Sequence, residues 1–453
     1  MKIALLTYST KPRGGVVHTL ALAEALAARG QDVTVWTLGR GGDEGFYRPV
    51  DPSVRVAVVP FPDGEESVGA RILRSIEALR EAFPPDSYDI VHAQDCISAN
   101  AVPRCLRTVH HIDHFTTPEL AACHERAITQ PFGIVCVSRA VADEVAAGWG
   151  IRAAVIPNGV DSARFARAAG ADETARAARE RWRSRFGRYV LAVGGIEPRK
   201  GSLDLLEAYA RLRDTGPRDT GPRDTGLRDT GPRDTRPRDT RPRDTGPRDT
   251  GLRDTGLRDT GPRDTRPRDT GPRDTGPRDT GPRDTGPRDT GLRDTATDVR
   301  LVIAGGETLF DYRDYRAVWE ERCAELFAAT PEFAPTVLGP VPDESLPSLV
   351  AAAGAFCFPS VREGFGLAAL EALAAGVPLV TRSLPVLHEV FGGAARFASD
   401  PAGFAAALRE ALDAPGELRA AGRDLAARYT WAAAADAHLA LYARYVGEQS
   451  LAR

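Results

Sequence analysis

Short apolar runs alternate with amphipathic stretches along most of the chain. Residues 3–8 form an apolar-leaning run that predicts a strand. Residues 15–29 place apolar side chains at helical spacing, and residues 33–38 return to a strand. Further strands are expected at 54–59, 90–93, 106–109, 134–137 and 154–156, with helical stretches between them. The pattern then restarts, with strand 189–193, helix 202–212, strand 300–304 and a helix near 317–328. Strand 336–338, helix 344–353, strand 355–358, helix 367–375 and strand 378–381 follow. Strands that are apolar almost throughout, separated by helices, indicate parallel sheets covered on both faces. Two such series predict an α/β chain of two doubly wound, Rossmann-like domains. Ligands of such sheets sit beyond the C-terminal ends of the strands, so the cleft between the domains is the expected site.

One segment breaks the pattern. From residue 213 to 295 the triplet Arg-Asp-Thr recurs every five residues, seventeen times in all, each time followed by Gly or Arg and then Pro or Leu except at the last copy. A period of five fits neither helix nor strand, and proline removes backbone donors at regular intervals. With so few apolar side chains the segment cannot offset its ordering entropy, so it is expected to be a disordered insertion in a surface loop. The remaining length of about 370 residues suits two domains.

Composition narrows the class. The net charge is −3, without the basic excess that nucleic-acid binding calls for. Six cysteines are scattered with no CxxC pair, which reads as buried thiols in a reducing cytoplasm rather than as a disulfide or zinc framework. The start, MKIALLTYST, is too short an apolar run for a secretory leader, and no stretch approaches the roughly 18–20 apolar residues of a membrane span. A soluble chain is expected. The exception to weigh is residues 70–83, where Ile72, Ile76, Leu79 and Phe83 share one helical face and Arg71, Arg74 and Arg80 lie elsewhere. That face suits packing on a sheet, or, as the alternative, peripheral contact with a membrane surface.

Four stretches carry candidate chemistry. In YSTKPRGGVVHTLALAEALAARG, residues 8–30, Gly14 and Gly15 join a strand to a helix and let backbone N–H groups approach an anion. The spacing is not G-x-G-x-x-G, so the dinucleotide fingerprint is absent. In AVGGIEPRKGSLDLLEAY, residues 192–209, Arg199 and Lys200 stand before a helix and suit a diphosphate. In EGFGLAALEALAAG, residues 363–376, Gly364, Phe365 and Gly366 form a strand-to-helix turn flanked by Glu363 and Glu371. Carboxylates beside an anion site should bind neutral groups, and hydroxyls are the natural partner; a glutamate stabilised by the helix dipole alone is the plainer alternative. In RTVHHIDHF, residues 107–115, three histidines and an aspartate follow a strand end. A hydrogen-bonding role in the cleft is favoured there over a metal site, because no partner ligands stand out elsewhere. No Asp-x-Asp pair occurs.

Taken together these stretches resemble the GT-B glycosyltransferases of family 4 (glycosyl transferases group 1), a retaining family. The resemblance runs over the whole chain except the repeat. PSVREGFGLAALEALAAGVPLV is similar to the family's E-x7-E motif, VIPNGVD (155–161) to its crossing into the second domain, and FCFPS and LGPVPDESLPSLVAAA match in order and spacing. The resemblance implies a GT-B fold with a first, acceptor-side domain at 1–160 and a nucleotide-sugar domain at 161–430 carrying the repeat. A C-terminal helix at 431–453 would return to the first domain.

For the residues, the resemblance implies that Glu363 contacts donor-sugar hydroxyls and Glu371 the ribose. Backbone at Gly366 and Leu367 would hold the distal phosphate, and Arg199 and Lys200 would neutralise the diphosphate. The base would lie near Gly339 and Val341, the Gly14-Gly15 loop would close on the phosphate or acceptor, and His110 would face the donor sugar. One departure stands out: Gly194-Gly195 occupies a position where the family commonly has Gly-Arg.

The implied activity is retaining, metal-independent transfer of a hexosyl or related group from a nucleotide-diphosphate sugar to a hydroxyl of a small molecule, glycan or lipid, with no cofactor. The expected location is the cytoplasm, or the inner membrane face if the chain is peripheral. The competing reading is a catalytically degenerate sugar-binding or scaffold protein. An epimerase, a pyridoxal-phosphate phosphorylase and a nicotinamide oxidoreductase all lack their sequence cues.

Overall fold

The computed structural model describes residues 1–102, 104–112, 118–214, 298–306 and 312–451. The repeat from residue 215 onward lies outside these residues, and so does the expectation made for it.

The apolar runs form two parallel sheets. The first is built from β1 (Lys2–Leu6), β2 (Asp32–Arg40), β3 (Arg55–Phe61), β4 (Ile90–Ala93), β5 (Leu106–Val109), β6 (Gly133–Cys136) and β7 (Ala154–Val155) in the order β3-β2-β1-β4-β5-β6-β7. Leu6 pairs with Trp36 on one side and Ala93 on the other, so the order reverses at β1. The second sheet holds β8 (Tyr189–Val193), β9 (Arg300–Ala304), β10 (Thr336–Gly339), β11 (Ala355–Phe358), β12 (Leu379–Arg382) and β13 (Ala395–Ala398), ordered β10-β9-β8-β11-β12-β13. It reverses at β8. In both sheets the first strand sits beside a switch point, where open α/β sheets place their ligands. The architecture is the pair of Rossmann-like sheets that the alternation predicts. Strand β13 had no expectation of its own: it is four residues long, and Arg396 is exposed within it.

The helices fill the faces. Among them α2 (Val68–Ala82) buries Ile72, Ile76 and Leu79, with Phe83 just past its end, against the first sheet. Packing therefore accounts for the apolar face weighed above, and Leu73 alone of its large apolar residues is exposed. Among the described residues no helix is long and apolar enough to cross a membrane. The cysteines stand as thiols, with Cys105, Cys123, Cys136 and Cys357 buried.

The chain passes between the sheets twice. The first passage runs through Asn158, Gly159 and Val160, the second through Tyr429 and Thr430 into α15 (Trp431–Leu451). Val160 N–H donates to the Tyr429 carbonyl at 3.0 Å. A Cβ on Gly159 would lie 2.2 Å from the Trp431 nitrogen, so only glycine lets the passages touch. Beyond them α15 packs on the first sheet, burying Ala435 and Tyr442, and the Tyr442 hydroxyl lies 2.7 Å from His92 Nδ1.

The repeat departs from α8 (Ser202–Arg213) and rejoins just before β9. Arg213 Nη1 donates to the Val299 carbonyl at 3.0 Å, which clasps the two ends of the insertion together. These ends lie where β9 begins, at the opposite end of the strands from the cleft.

Candidate functional site

Three helices begin at the C-terminal ends of strands on glycine-bearing turns. These are α1 (Gly14–Ala27) after β1, α8 after β8 and α11 (Leu367–Ala374) after β11. None of the three has a side-chain cap, whereas α2 is capped by Ser67 and α5 (Arg139–Trp149) by Ser138. Uncapped N-termini leave backbone donors and the positive end of the dipole available to an anion. At α11 the N-cap is Gly366 in the left-handed region, φ 96°, and a Cβ there would press on Phe391 and Phe358 at 3.0–3.2 Å.

Glu363, Lys200 and Arg199 converge on this turn. The Glu363 carboxylate accepts from Lys200 Nζ and, at 3.1 Å, from Arg199 Nη1. Arg199 also reaches Glu197 at 3.3 Å. The Lys200 stem lies against Gly194, where a Cβ would meet it at 3.3–3.4 Å, and its ammonium stands 5.2 Å from the Phe358 ring centroid. Burial alone would raise the Glu363 pKa, but Lys200 and Arg199 outweigh it and hold the carboxyl at about 2. It is therefore ionised across the physiological range. Arg199 thus lies beside Lys200 next to the Gly194-Gly195 turn.

Glu371 is the fifth residue of α11 and behaves in the opposite way. Burial pushes its pKa up to about 7; Arg164 lowers it and Asp343 raises it. Arg164 Nη2 pairs with the Asp343 carboxylate at 2.7 Å. The loop from Gly339, at φ 69°, through Val341 to Asp343 therefore runs toward Glu371. Tyr47, on the loop between β2 and β3, feels the charges of Asp343 and Glu371 as burial raises its pKa to about 12. The sequence reading missed Arg164, Asp343 and Tyr47 as site residues: Asp343 stands in the noticed stretch LGPVPDESLPSLVAAA without being singled out, and nothing local marks Arg164 or Tyr47.

The first sheet meets the α11 turn at His110. A Cβ on Gly364 would lie 1.6 Å from the His110 carbonyl oxygen and 3.2 Å from Val141, and one on Gly15 would lie 3.6 Å from the His110 ring. Gly15, His110 and Gly364 are thus stacked in contact across the cleft. Nearby, Glu389 of α12 (Pro385–Phe391) accepts from the Arg139 and Ala140 N–H groups at 2.8 and 2.9 Å, capping α5 from the opposite sheet.

Behind His110 lies a group of buried histidines. His18 stacks edge-on to His110 at 4.8 Å and to Trp431 at 5.3 Å, and its Nδ1 lies 2.8 Å from Asn158 Oδ1 in the first passage. His92 and His438 continue the group, 5.6 Å apart. Burial holds all four neutral: it lowers His110 to about 3 and His438 to about 4, and drives His18 and His92 well below the usual 6.5. Asp113 and His114, part of the stretch for which a metal was weighed and disfavoured, lie outside the described residues, and among the described residues no cluster of three or more ligating side chains fits a metal ion.

These histidines have a consequence for stability. A folded-state pKa below the unfolded value means that the unfolded chain binds more protons, so stability is complete above about 6.5 and lost as pH falls toward the folded values. Glu363 adds to this between 4.5 and about 2, whereas Glu371, raised, acts in the opposite sense between 4.5 and about 7. Moving from pH 7 to pH 5 should cost about 2 kcal/mol for each of His110 and His438. Urea unfolding at the two pH values measures it. Equal midpoints would mean that these rings are protonated or hydrated in the fold.

Comparison with known proteins adds to this geometry. The model of Glycosyltransferase Family 4 matches residues 12–164, and that of Glycosyl transferases group 1 matches residues 290–414. Over 57 residues the chain is 56% identical to the O-antigen chain mannosyltransferase B of Escherichia coli, covering 13% of this chain and 15% of that one. Over 113 residues it is 35% identical to MMP alpha-(1->4)-mannosyltransferase of Mycolicibacterium hassiacum, covering 23% and 28%. These matches span less than a third of each relative's length. Among solved structures, sucrose-phosphate synthase from Thermosynechococcus elongatus superposes with a TM-score of 0.65 at 16% identity, over 99% of this chain and 100% of that one. HepE of Anabaena in complex with UDP and glucose gives 0.60 at 15%, over 98% and 100%. At such identities the likeness is one of fold.

Proposed function

We propose that this chain, which belongs to the GT-B glycosyltransferases of family 4, transfers a sugar from a nucleotide-diphosphate donor to an acceptor hydroxyl with retention at the anomeric carbon. The observation that carries the reading is the convergence of Lys200, Arg199 and Glu363 on the uncapped start of α11, with Glu371 one turn further on. Backbone N–H groups at Gly366 and Leu367 hold the distal phosphate, Lys200 and Arg199 balance the diphosphate, and Glu363 accepts from donor-sugar hydroxyls. Glu371 accepts from the ribose, and the base rests near Gly339 and Val341.

The chemistry follows from this charge arrangement. As the bond from the anomeric carbon to the diphosphate oxygen stretches, negative charge grows on the leaving group beside two cations and a helix N-terminus. Positive charge grows on the sugar, where the ionised Glu363 lies. The acceptor hydroxyl enters on the face the diphosphate leaves, and a phosphate oxygen takes its proton. Two side-chain cations and the helix dipole stand where a divalent ion would otherwise balance the diphosphate, so we place the reaction among the metal-independent transfers. The mannosyltransferase names of the relatives and the UDP in the HepE structure support a nucleotide hexose as the donor class, and make GDP-mannose and UDP-glucose the first donors to try.

The test is release of nucleoside diphosphate from a panel of GDP-, UDP- and ADP-sugars, with and without EDTA, alongside calorimetric binding of each nucleoside diphosphate. Slow hydrolysis of one donor is expected, unchanged by EDTA and reduced at least a hundredfold in Glu371→Ala. Absence of both turnover and nucleotide binding would favour a degenerate sugar-binding scaffold.

A further inference from the structure

A second concentration of positive charge lies in the first domain, away from the α11 turn. Arg40 ends β2, Tyr8 follows β1, Asp95 follows β4 and Arg107 lies on β5, next to Ala93 in the register. Strand alternation puts these side chains on the face of the sheet covered by α2. Arg71 and Ser75 come from α2, and Arg13 immediately precedes Gly14-Gly15. The groups are interlocked. Arg40 Nε donates to the Tyr8 carbonyl at 3.1 Å and Nη2 to Ser75 Oγ at 2.7 Å, and Arg13 Nη1 donates to the Tyr8 hydroxyl at 3.0 Å. The Arg13 and Arg40 guanidinium carbons stand 5.6 and 5.4 Å from the Tyr8 ring centroid.

Among the described residues the cations here outnumber the carboxylates. Asp95 is the carboxylate that Tyr8, Arg40 and Arg107 feel, and its oxygens are already engaged by the Ser98 and Tyr8 N–H groups at 2.8 and 3.0 Å; Glu66, on which Arg40 and Arg71 act, is already paired with Arg74. Arg107 is only 4% exposed, and among the described residues its Nε and Nη1 have no partner; Nε of Arg13 and Nε of Arg71 are likewise buried and unpartnered among them. Burial lowers the pKa of Arg40, and Arg71 and Arg13 lower it further while Tyr8 and Asp95 act to raise it. A buried cation without a counter-charge is strongly unfavourable, and guanidinium groups pair in forked fashion with phosphate oxygens.

We propose that Arg13, Arg40, Arg71 and Arg107 form a subsite for a phosphate group on the acceptor, so that the hydroxyl compound receiving the sugar is a phosphorylated one. The inference rests on the transferase reading for the word acceptor, but the anion site itself does not. Its position fits that role. It adjoins the Gly14-Gly15 loop, which touches His110, which in turn meets Gly364 of the donor turn. A phosphate held there would tether the acceptor on the first-domain side while its hydroxyl reaches the donor sugar.

The test uses inorganic phosphate against chloride at constant ionic strength, by calorimetry and thermal melting, in the Lys200→Ala protein so that the donor turn contributes less to binding. One saturable phosphate site is expected, accompanied by a rise in melting temperature. Affinity should fall at least tenfold in Arg107→Gln and in the partly exposed Arg13→Gln, which serves if the former does not fold. In phosphate-free buffer Arg107→Gln should melt higher than its parent, because it removes a buried guanidinium whose Nε and Nη1 have no partner among the described residues; a purely structural arginine would give a lower melt. No phosphate binding in Lys200→Ala, or binding that survives both arginine substitutions, overturns the proposal. Cosedimentation with phosphatidylcholine vesicles only when they contain phosphatidic acid, lost in the same variants, would put the phosphate on a lipid. Binding of phosphate without such cosedimentation would put it on a soluble acceptor. A chain that binds phosphate here but turns over no nucleotide sugar would separate the failure of the transferase reading from that of the anion site.

Discussion

Replacing Lys200 with alanine should lower donor turnover about a thousandfold, at the upper end of what removing one preorganised electrostatic group costs. Two effects combine. The diphosphate loses a cation placed where negative charge grows as the bond breaks. Glu363 loses the larger of the two charges that keep its carboxyl at about 2 against burial. With Arg199 alone beside it, its pKa climbs, and the carboxylate is less firmly held where the sugar becomes positive. The fold should tolerate the change, because the Lys200 stem rests on Gly194, its ammonium lies by the Phe358 ring, and the side chain remains partly exposed. The measurement is kcat for donor turnover together with the melting temperature. A normal kcat would show that Arg199 and the α11 N-terminus suffice.

Gly364→Ala should be nearly as severe for a different reason. In the observed arrangement the added methyl would sit 1.6 Å from the His110 carbonyl oxygen. A Cβ has no rotamer and the atom it meets is backbone, so no side-chain change relieves the clash. The two domains must separate, carrying His110 and the Gly14-Gly15 loop away from the donor turn. Displacements of about 1 Å can cost around a hundredfold in rate, and at least that loss in kcat is expected. Nucleoside diphosphate binding should be weakened far less than kcat, since its proposed contacts, the Gly14-Gly15 loop apart, come from the second domain. Small-angle scattering should show a larger radius of gyration than for the unaltered chain. Unchanged kcat would mean that the domains react in a more open arrangement than the one described.

What could be read from the sequence follows from which interactions are local. The strands were legible because both faces are buried, leaving runs such as Ala355–Phe358 apolar throughout. The α11 turn was legible because its glycines and carboxylates fall within nine consecutive positions. What could not be read is held together across the chain. Tyr8 meets Asp95 from 87 residues away, Arg164 meets Asp343 from 179, and Glu389 caps α5 from about 250. The same holds for the clustered arginines, each of which would look like an ordinary surface residue in its own segment. Asn158 sat inside a motif that was noticed, but its partner His18 is 140 residues earlier.

The clasp between Arg213 and Val299 bears on how this gene can change. Because the two ends of the insertion are joined by the folded domain itself, loop closure is already settled by the core. For an insertion without structure of its own, as the sequence reading expects, each doubling of the tandem copy number then adds only about 0.6 kcal/mol. A pentapeptide unit keeps the reading frame whenever a copy is gained or lost. Because the insertion roots at the strand ends opposite the cleft, gain or loss of copies by replication slippage should leave turnover unchanged. Alleles differing widely in repeat number can then coexist in a population without selection on catalysis distinguishing them.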